Sequence, residues 1–204
     1  MNLRRLALTL AFSAAAFSAS AAEKAVSVVK ILNFSCPVCR ASETQDAAIK
    51  EATQATGGRL VYAPMPTEEG TYARERVYYA SRSQGSIAES RVRAALYRGS
   101  QDLSLPLSDI TQVIEFLKDE LGASSLNYTL LRQEAESPAA QEALARAATV
   151  TVTAGSRDLP SYVLIQDNAP VATLETTNLS KGTSLLSLRD EVVARVNQLS
   201  AGKK

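Results

Sequence analysis

The sequence predicts an α/β fold whose elements follow the order β-α-β, then a block of helices, then β-β-α. Three observations predict it: a strand, helix, strand pattern near the start, a run of helical patterns in the middle, and two closely spaced strand patterns with a final helix at the end. A chain of 204 residues is long enough for one domain that carries a large insertion.

The N-terminus has the pattern of a secretory signal peptide. Arg4 and Arg5 precede an apolar run over residues 6–17, and small residues then offer a cleavage site after Ala21 or Ala22. An uncleaved anchor is the alternative, but the run is short against the roughly 20 apolar residues that a membrane span needs. A twin-arginine export route also stays open, although its flanking residues match poorly. We therefore expect a soluble protein in an oxidising compartment.

The first strand, helix and strand follow the signal. Residues 25–34, AVSVVKILNF, are β-branched and mostly apolar, as in a strand covered on both faces. A helical pattern starts at the cysteines and continues until Gly57 and Gly58 stop it, and residues 59–64, RLVYAP, predict a second strand. In a βαβ unit of this kind the two strands are parallel.

The middle of the chain, residues 67–148, predicts an inserted helical domain. Ser108 and Ser137 occupy N-cap positions, and Pro138 follows at a first helical position. Four stretches carry the helical pattern: EEGTYARERVYYASRSQ, SIAESRVRAALYRG, SDITQVIEFLKDELG and SPAAQEALARAA.

After the insertion the strand pattern returns. Residues 161–166 and 171–175 flank the turn DNAP, which predicts an antiparallel hairpin, and residues 184–199 predict the last helix from an apolar stripe at helical spacing. The predicted organisation is a signal peptide over 1–22, an α/β domain over 23–66 with 149–204, and the insertion over 67–148.

Composition excludes several classes of function. Lys and Arg number 22 against 21 Asp and Glu, and no basic block breaks the pattern, so we expect no nucleic-acid partner. The chain contains no His, which excludes mechanisms that need an imidazole base.

The two cysteines of the chain lie in the motif FSCPVCR, at the start of the first predicted helix. The unpaired N–H groups of a helix start favour negative charge, so the Cys36 thiolate should be stabilised there. Cys39 is three residues on, on the same helical face and further inside, where it can act as the resolving thiol. Pro37 fits the first helical turn because its missing N–H would have gone unpaired.

Three other interpretations of the pair remain. A stabilising bridge across so short a loop would contribute about 2 kcal/mol, against nearly 5 for a loop of about 100 residues. A zinc site would lack two of its usual four ligands, and without His these would have to be carboxylates or come from a second chain. The third alternative is a descendant of the fold that has lost redox activity.

With these features the sequence resembles the thioredoxin-fold disulfide oxidoreductases, and within them the DsbA-like periplasmic proteins. The resemblance rests on CPVC after a strand, the helical block, and LPSYVL opening the third strand, and it covers about residues 25–199. It implies a thioredoxin-like fold with an inserted helical domain, a periplasmic location, and disulfide exchange with unfolded or partly folded exported proteins. It further implies a membrane quinone-linked partner, a monomer, and neither cofactor nor metal.

The resemblance also implies a role for Pro160. In the family this proline follows a cis peptide bond, faces the cysteines, and helps present the backbone of the preceding residue, here Leu159, to an extended substrate segment. A trans proline at the start of a strand is the alternative. The family more often has Val or Thr before this proline, so the bulkier Leu159 leaves substrate preference open.

Two departures from the family concern the redox properties. Strongly oxidising relatives carry His between the cysteines, whereas Val38 offers the thiolate no hydrogen bond or charge, so we predict a weaker oxidant. Many relatives carry a buried acid at the position of Lys30. We hypothesise that Lys30 pairs with Glu43, which would assist proton transfer at Cys39; the simpler alternative, which we favour, is a lysine that extends from the strand's edge to solvent.

Two other functions are carried as alternatives. One is a disulfide reductase or isomerase kept reduced by a membrane partner, and the other is an interaction or chaperone module that has lost exchange. A dedicated partner in a secretion or conjugation apparatus would leave the same pattern in the sequence as a partner in general folding.

Overall fold

The sheet is mixed, and its strands follow the order β2-β1-β3-β4. The computed structural model describes residues 24–65, 72–180 and 182–202, so the predicted signal peptide and its cleavage site lie outside the described residues. Strands β1 and β2 are parallel, as predicted, and β3 is antiparallel to both β1 and β4. The strands are β1 (Ser27–Leu32), β2 (Leu60–Pro64), β3 (Ser161–Gln166) and β4 (Ala169–Leu174).

Each face of the sheet is covered by helices, which explains why β1 is mostly apolar on both sides, with Lys30 as the exception. Helices α2 (Asp46–Ala55) and α8 (Leu185–Ser200) cover one face and form a core with Val28 and Leu164. The other face and the insertion share a single hydrophobic core, which contains Ile31 and Val163 of the sheet as well as the insertion's Leu96. The insertion is therefore packed onto the sheet rather than attached by a linker.

The helix predicted from the cysteines to Gly57 is interrupted. Helix α1 (Pro37–Ser42) gives way to a 3₁₀ turn (Glu43–Gln45) before α2 begins. The hydroxyl of Ser42 donates to the Cys39 carbonyl at 2.7 Å, and that of Thr44 donates to the Ala41 carbonyl at 2.9 Å. Hydroxyls that bond to nearby carbonyls compete with the helical ladder, which is a physical reason for the break.

In the insertion, α3 contacts α4, α5, α6 and α7, and is buried over most of its surface. The elements are α3 (Ala73–Ser81), a 3₁₀ turn (Arg82–Gln84), α4 (Ser86–Tyr97), a π-helical turn (Arg98–Asp102), α5 (Ile110–Leu121), α6 (Tyr128–Glu136) and α7 (Pro138–Thr153). The start of the first helix predicted in this block, at residue 68, falls among residues that the structure does not describe.

Three predictions about the insertion need correction. Helix α6 was not predicted, although Asn127 caps it by accepting from the Leu130 amide at 3.0 Å. The N-cap of α5 is Asp109 rather than Ser108, because the Asp109 carboxylate accepts from the Gln112 amide at 2.9 Å. Helix α7 begins at Pro138 as predicted but continues to Thr153, past the predicted end at residue 148.

The hairpin is tighter than the sequence predicted. Asp167 and Asn168 alone form the turn, and both have positive φ (53° and 63°), as a two-residue type I′ connection requires. Pro170 therefore belongs to β4, which tolerates a proline because it is an edge strand. The last helix is confirmed with its bounds shifted by one residue.

Over the described ranges, no helix is long and apolar enough to cross a membrane. Within the same ranges, no group of three or more His, Cys, Asp or Glu side chains is arranged to hold a metal ion.

Candidate active site

The loop that carries the cysteines is tied to the end of the sheet by the buried side chain of Asn33. Its amide oxygen accepts from the Ser35 backbone N–H at 2.7 Å, and its amide nitrogen donates to the Met65 carbonyl, also at 2.7 Å. The Cys36 N–H donates to the Asn33 carbonyl at 3.1 Å. The loop after β1 is thereby fixed against the residue that follows β2.

Cys36 and Cys39 form a disulfide. Cys36 is the N-cap of α1 with extended backbone angles, and its sulfur accepts from the Cys39 backbone N–H at 3.1 Å. Its side chain is partly exposed, whereas Cys39 is completely buried. Pro37 and Val38 lie on the surface, and Val38 is 46% exposed. One sulfur of the bond is therefore open to attack and the other is shielded.

Pro160 lies at the same end of the sheet as the cysteines. It immediately precedes Ser161, which pairs with Ile31 near the end of β1, and the cysteine loop begins just after that strand. The Leu159–Pro160 peptide bond is cis, as the resemblance implied. Leu159 is half-buried and packs against the core cluster that contains Cys39.

Lys30 pairs with Asp46, not with Glu43, so the hypothesised ion pair is wrong. The Lys30 ammonium lies 2.9 and 2.8 Å from the two Asp46 oxygens, and the Tyr162 hydroxyl donates to the same carboxylate at 3.1 Å. The favoured alternative is also wrong, because Lys30 is fully buried and reaches no solvent. Burial lowers the pKa of Lys30, and the Asp46 carboxylate partly opposes that effect.

Glu43 is paired with the insertion instead. Its carboxylate accepts from Arg93 Nε of α4 at 2.6 Å, and the Arg93 guanidinium lies 3.6 Å from the centre of the Tyr62 ring. Burial of Arg93 opposes its charge, but Glu43, Tyr62 and Tyr78 together outweigh burial, and the pKa of Arg93 is raised. The hypothesis assumed one continuous helix after Cys39, whereas Glu43 opens the 3₁₀ turn and lies toward α4.

The π-helical turn Arg98–Asp102 makes further polar contacts to the cysteine loop and to α1. Gln101 Nε2 donates to the carbonyls of Phe34 and Cys36, at 2.9 and 3.1 Å. Asp102 accepts two hydrogen bonds from Arg40, at 2.6 and 3.0 Å, and this contact lowers the pKa of the Asp102 carboxyl. None of these contacts was predicted, because no local pattern in the sequence marks the residues that make them.

Two comparisons by sequence returned nothing: no protein-family model matches the chain, and no curated protein matches it. Comparison with solved structures did find likenesses. DsbA of Pseudomonas aeruginosa matches with a TM-score of 0.67 at 18% identity, over 91% of this chain and 89% of that one. DsbA of Proteus mirabilis matches with a TM-score of 0.63 at 15% identity, over 89% of both chains.

SrgA of Salmonella enterica serovar Typhimurium is a third likeness, with a TM-score of 0.61 at 20% identity over 85% of this chain and 92% of that one. These likenesses confirm the predicted fold class: a thioredoxin-like α/β domain with an inserted helical domain, arranged as in the DsbA structures.

The geometry permits thiol–disulfide exchange at the Cys36–Cys39 bond. An external thiolate can reach Cys36, and the buried Cys39 can leave and later return to displace whatever Cys36 holds. The backbone N–H aimed at the Cys36 sulfur would stabilise negative charge on that atom.

Proposed function

We propose that this chain is an exported thiol–disulfide oxidoreductase that exchanges disulfides with unfolded or partly folded periplasmic proteins. The observation that carries the proposal is a disulfide with one accessible sulfur, Cys36, hydrogen-bonded to a backbone N–H, and one buried sulfur, Cys39. The DsbA-like fold supports it, since the cysteines occur at the first strand-to-helix junction as the resemblance required.

The proposed reaction oxidises the substrate. A substrate thiolate attacks the Cys36 sulfur, the Cys36–Cys39 bond breaks, and Cys39 leaves with the electron pair and takes up a proton. A second substrate thiolate then attacks the substrate sulfur of the mixed disulfide and releases Cys36 as a thiolate. Two electrons pass to the cysteine pair, and the substrate leaves with a disulfide.

The reduced pair must lose two electrons before the next cycle. We propose that a quinone-linked membrane partner accepts them, so that the protein turns over as a monomer between exported substrates and the membrane. A partner dedicated to a secretion or conjugation apparatus fits the same chemistry.

Leu159 and Pro160 are proposed to bind the substrate chain. Their place at the start of β3, beside the strand that leads to the cysteines, suits an extended segment that adds to the sheet through main-chain hydrogen bonds. Such binding recognises the main chain of the substrate more than its side chains, as a protein that binds many different unfolded substrates would need.

Val38 is proposed to limit the oxidising strength. Its exposed aliphatic side chain donates no hydrogen bond to the Cys36 thiolate, whereas the strongly oxidising relatives have His there. We expect a reduction potential below the value of about −120 mV that is typical of DsbA. Equilibration with glutathione measures it, and a potential at or above that value would contradict the assignment.

The proposed function is tested by trapping. In Cys39→Ala the Cys36 thiolate can attack a substrate disulfide and release one substrate thiolate, but no second thiol of the protein is left to displace the captured substrate. Mixed disulfides on Cys36 should therefore accumulate in the periplasm of the native host and be identified by mass spectrometry. Cys36→Ala is the matched control and should trap nothing. If neither variant trapped a protein, the proposal would be contradicted. If the wild-type cysteine pair were found reduced in cells, the reductase or isomerase alternative would be favoured.

A further inference from the structure

The insertion reaches the backbone of the exposed cysteine through one side chain. The Gln101 amide nitrogen donates to the carbonyls of Phe34 and Cys36, two residues apart in the loop that leads into α1. One amide thus holds two peptide groups, and the second belongs to the residue whose sulfur is open to solvent. Gln101 is itself half-buried.

The backbone conformation that Gln101 holds is the one in which the Cys36 sulfur accepts a hydrogen bond. Cys36 has φ −90° and ψ 108°, and in this conformation its sulfur lies 3.1 Å from the Cys39 nitrogen. The ψ angle of Cys36 sets both the direction of its carbonyl and the path of the chain to Cys39, so a rotation that frees the carbonyl also moves the Cys39 N–H away from the sulfur. Hydrogen bonds to a charged acceptor are roughly twice as strong as neutral ones, so the thiolate depends on this geometry more than the disulfide does.

Neighbouring contacts fix the same loop to the same turn. The Arg74 guanidinium donates to the hydroxyls of Ser35 and Ser100, both at 3.0 Å, so it bridges the loop and the π-helical turn. Arg40, in the last turn of α1, is held by both oxygens of Asp102. Those contacts are between side chains, whereas Gln101 acts on the backbone of Cys36 directly.

We infer that Gln101 is a positioning residue for thiol–disulfide exchange at Cys36, and that the helical insertion thereby takes part in setting the redox equilibrium of the cysteine pair. The inference rests on the proposed function. Gln101 does not touch the reacting atoms; it keeps the Cys36 sulfur where the Cys39 N–H can stabilise its negative charge.

The equilibrium with glutathione shows the consequence. Two glutathione thiols reduce the protein disulfide, two electrons and two protons pass to the cysteine pair, and oxidised glutathione is released. Stabilising the Cys36 thiolate favours the reduced protein. Loss of the Gln101 contacts therefore moves the equilibrium toward the protein disulfide.

Gln101→Met tests the inference because it keeps the length of the side chain and removes the amide, and with it the donor to both carbonyls. We expect the pKa of Cys36, followed by the ultraviolet absorbance of the thiolate in the reduced protein, to rise by about 0.5 to 1 unit. The equilibrium constant with glutathione should move about three- to tenfold toward the disulfide, since one pKa unit corresponds to a factor of ten.

Gln84→Met is the matched control. Gln84 also lies in the insertion and also bonds backbone, donating to the Asn127 carbonyl at 3.0 Å and accepting from the Asn127 N–H at 2.8 Å. Among the residues that the structure describes, its hydrogen bonds are to Asn127 and not to the cysteine loop, so its loss should lower stability without moving the pKa of Cys36 or the equilibrium. Gln101→Asn, one methylene short of the two carbonyls, should shift both in the same direction as Gln101→Met.

Unchanged values for both Gln101 variants, or an equal shift for Gln84→Met, would overturn the inference. Failure of the proposed function is distinguishable, because a wild-type protein that does not exchange with exported proteins still has a measurable Cys36 pKa and glutathione equilibrium. A raised pKa in Gln101→Met would then support the positioning role even if the biological reaction were assigned wrongly.

Discussion

At the scale of single residues, the buried ion pair of Lys30 and Asp46 is the contact whose loss we expect to cost the most stability. Both Asp46 oxygens contact the ammonium, and the Tyr162 hydroxyl bonds the same carboxylate. Taking two charges out of water is costly, and their attraction offsets that cost only while both are present. The pair is therefore better understood as a constraint on α2 and β1 than as a large net source of stability.

Asp46→Asn should lower the free energy of unfolding by about 3–5 kcal/mol, because it leaves the Lys30 charge buried without a partner. Glu115→Gln, which breaks the exposed pair with Lys118, is the control and should cost at most about 1 kcal/mol. Urea unfolding measures both. Equal, small effects would show that Lys30 is uncharged in the folded protein.

The Asp46→Asn variant should recover stability as pH rises. Burial lowers the folded-state pKa of Lys30 below its ordinary value of 10.5, so between the two values the unfolded chain binds more protons. Stability rises with pH wherever the unfolded state binds more protons. Urea unfolding at several pH values between neutrality and about pH 9, below the range in which tyrosines titrate, should show an upward slope that is steeper than in wild type. A flat or falling curve over that range would contradict the burial argument.

Glu43 remains our proposed proton relay for Cys39, now with Arg93 as its partner. Glu43→Gln removes the titratable group and should slow exchange with a model disulfide peptide several-fold. Arg93→Gln breaks the same ion pair but leaves the carboxylate, so it serves as the control. If both variants slow exchange equally, the ion pair matters and the relay does not.

At the scale of elements, the π-helical turn Arg98–Asp102 connects the insertion to the cysteine loop. Extra residues in a helical turn redirect side chains, and such turns occur frequently at functional sites. Here the turn places Gln101 and Asp102 against the loop while Gly99 faces the core. A Cβ on Gly99 would lie 2.9 Å from the Phe116 ring and 3.0 Å from Leu107.

Gly99→Ala should therefore destabilise the protein by about 1–3 kcal/mol through overpacking. The double variant Gly99→Ala with Phe116→Leu should recover part of that loss, because the clash is with the ring. Thermal or urea unfolding of the two single variants and the double variant gives the coupling directly. Additive effects would mean that the glycine is required for a reason other than its contact with Phe116.

Prediction at the element scale succeeded where patterns are local and failed where they are not. The β-branched segment of β1 and the cap and proline at Ser137 and Pro138 identified their elements. Helix α6 was not predicted because no proline or glycine marks its start. The partners of Lys30 were misassigned because the break at Ser42 depends on hydroxyl contacts that spacing does not reveal.

The contacts of Gln101 could not be predicted from local patterns in the sequence. The residue is 65 positions from Cys36, and no periodicity links a polar residue in a helical turn to a carbonyl in a distant loop. Sequence identified the two sulfurs, and a family resemblance identified the cis bond before Pro160. The support around them required the packing of the insertion against the sheet.

At the scale of the whole molecule, the core is rich in tyrosines, of which Tyr62 is half-buried and the others are buried. Burial raises the pKa of Tyr62, Tyr78, Tyr79, Tyr97 and Tyr162 well above the ordinary value of 10. Above that pH the unfolded chain loses these protons while the folded chain keeps them. The stability that the buried tyrosines contribute is thus complete below pH 10 and is lost as pH rises further.

We expect cooperative alkaline unfolding, with tyrosinate absorbance appearing together with the loss of circular dichroism. Each such tyrosine should steepen the fall in unfolding free energy by about 1.4 kcal/mol per pH unit. Tyr97→Phe is the informative variant, because its hydroxyl has no hydrogen-bond partner among the described residues. Its stability at neutral pH should be at least that of wild type, with a shallower alkaline slope. Tyrosinate absorbance that rises while the fold persists would contradict this account.

The two-residue turn between β3 and β4 is a suitable site for attaching the protein to a surface. Asp167 and Asn168 are exposed, and they cap the end of β3 opposite to Pro160 and hence opposite to the redox loop. A peptide linker inserted between them would attach the protein to a sensor surface by the end of the sheet remote from the cysteines, with Cys36 facing the bulk solution. Immobilised in that orientation, the molecule would present the same sulfur to every incoming chain.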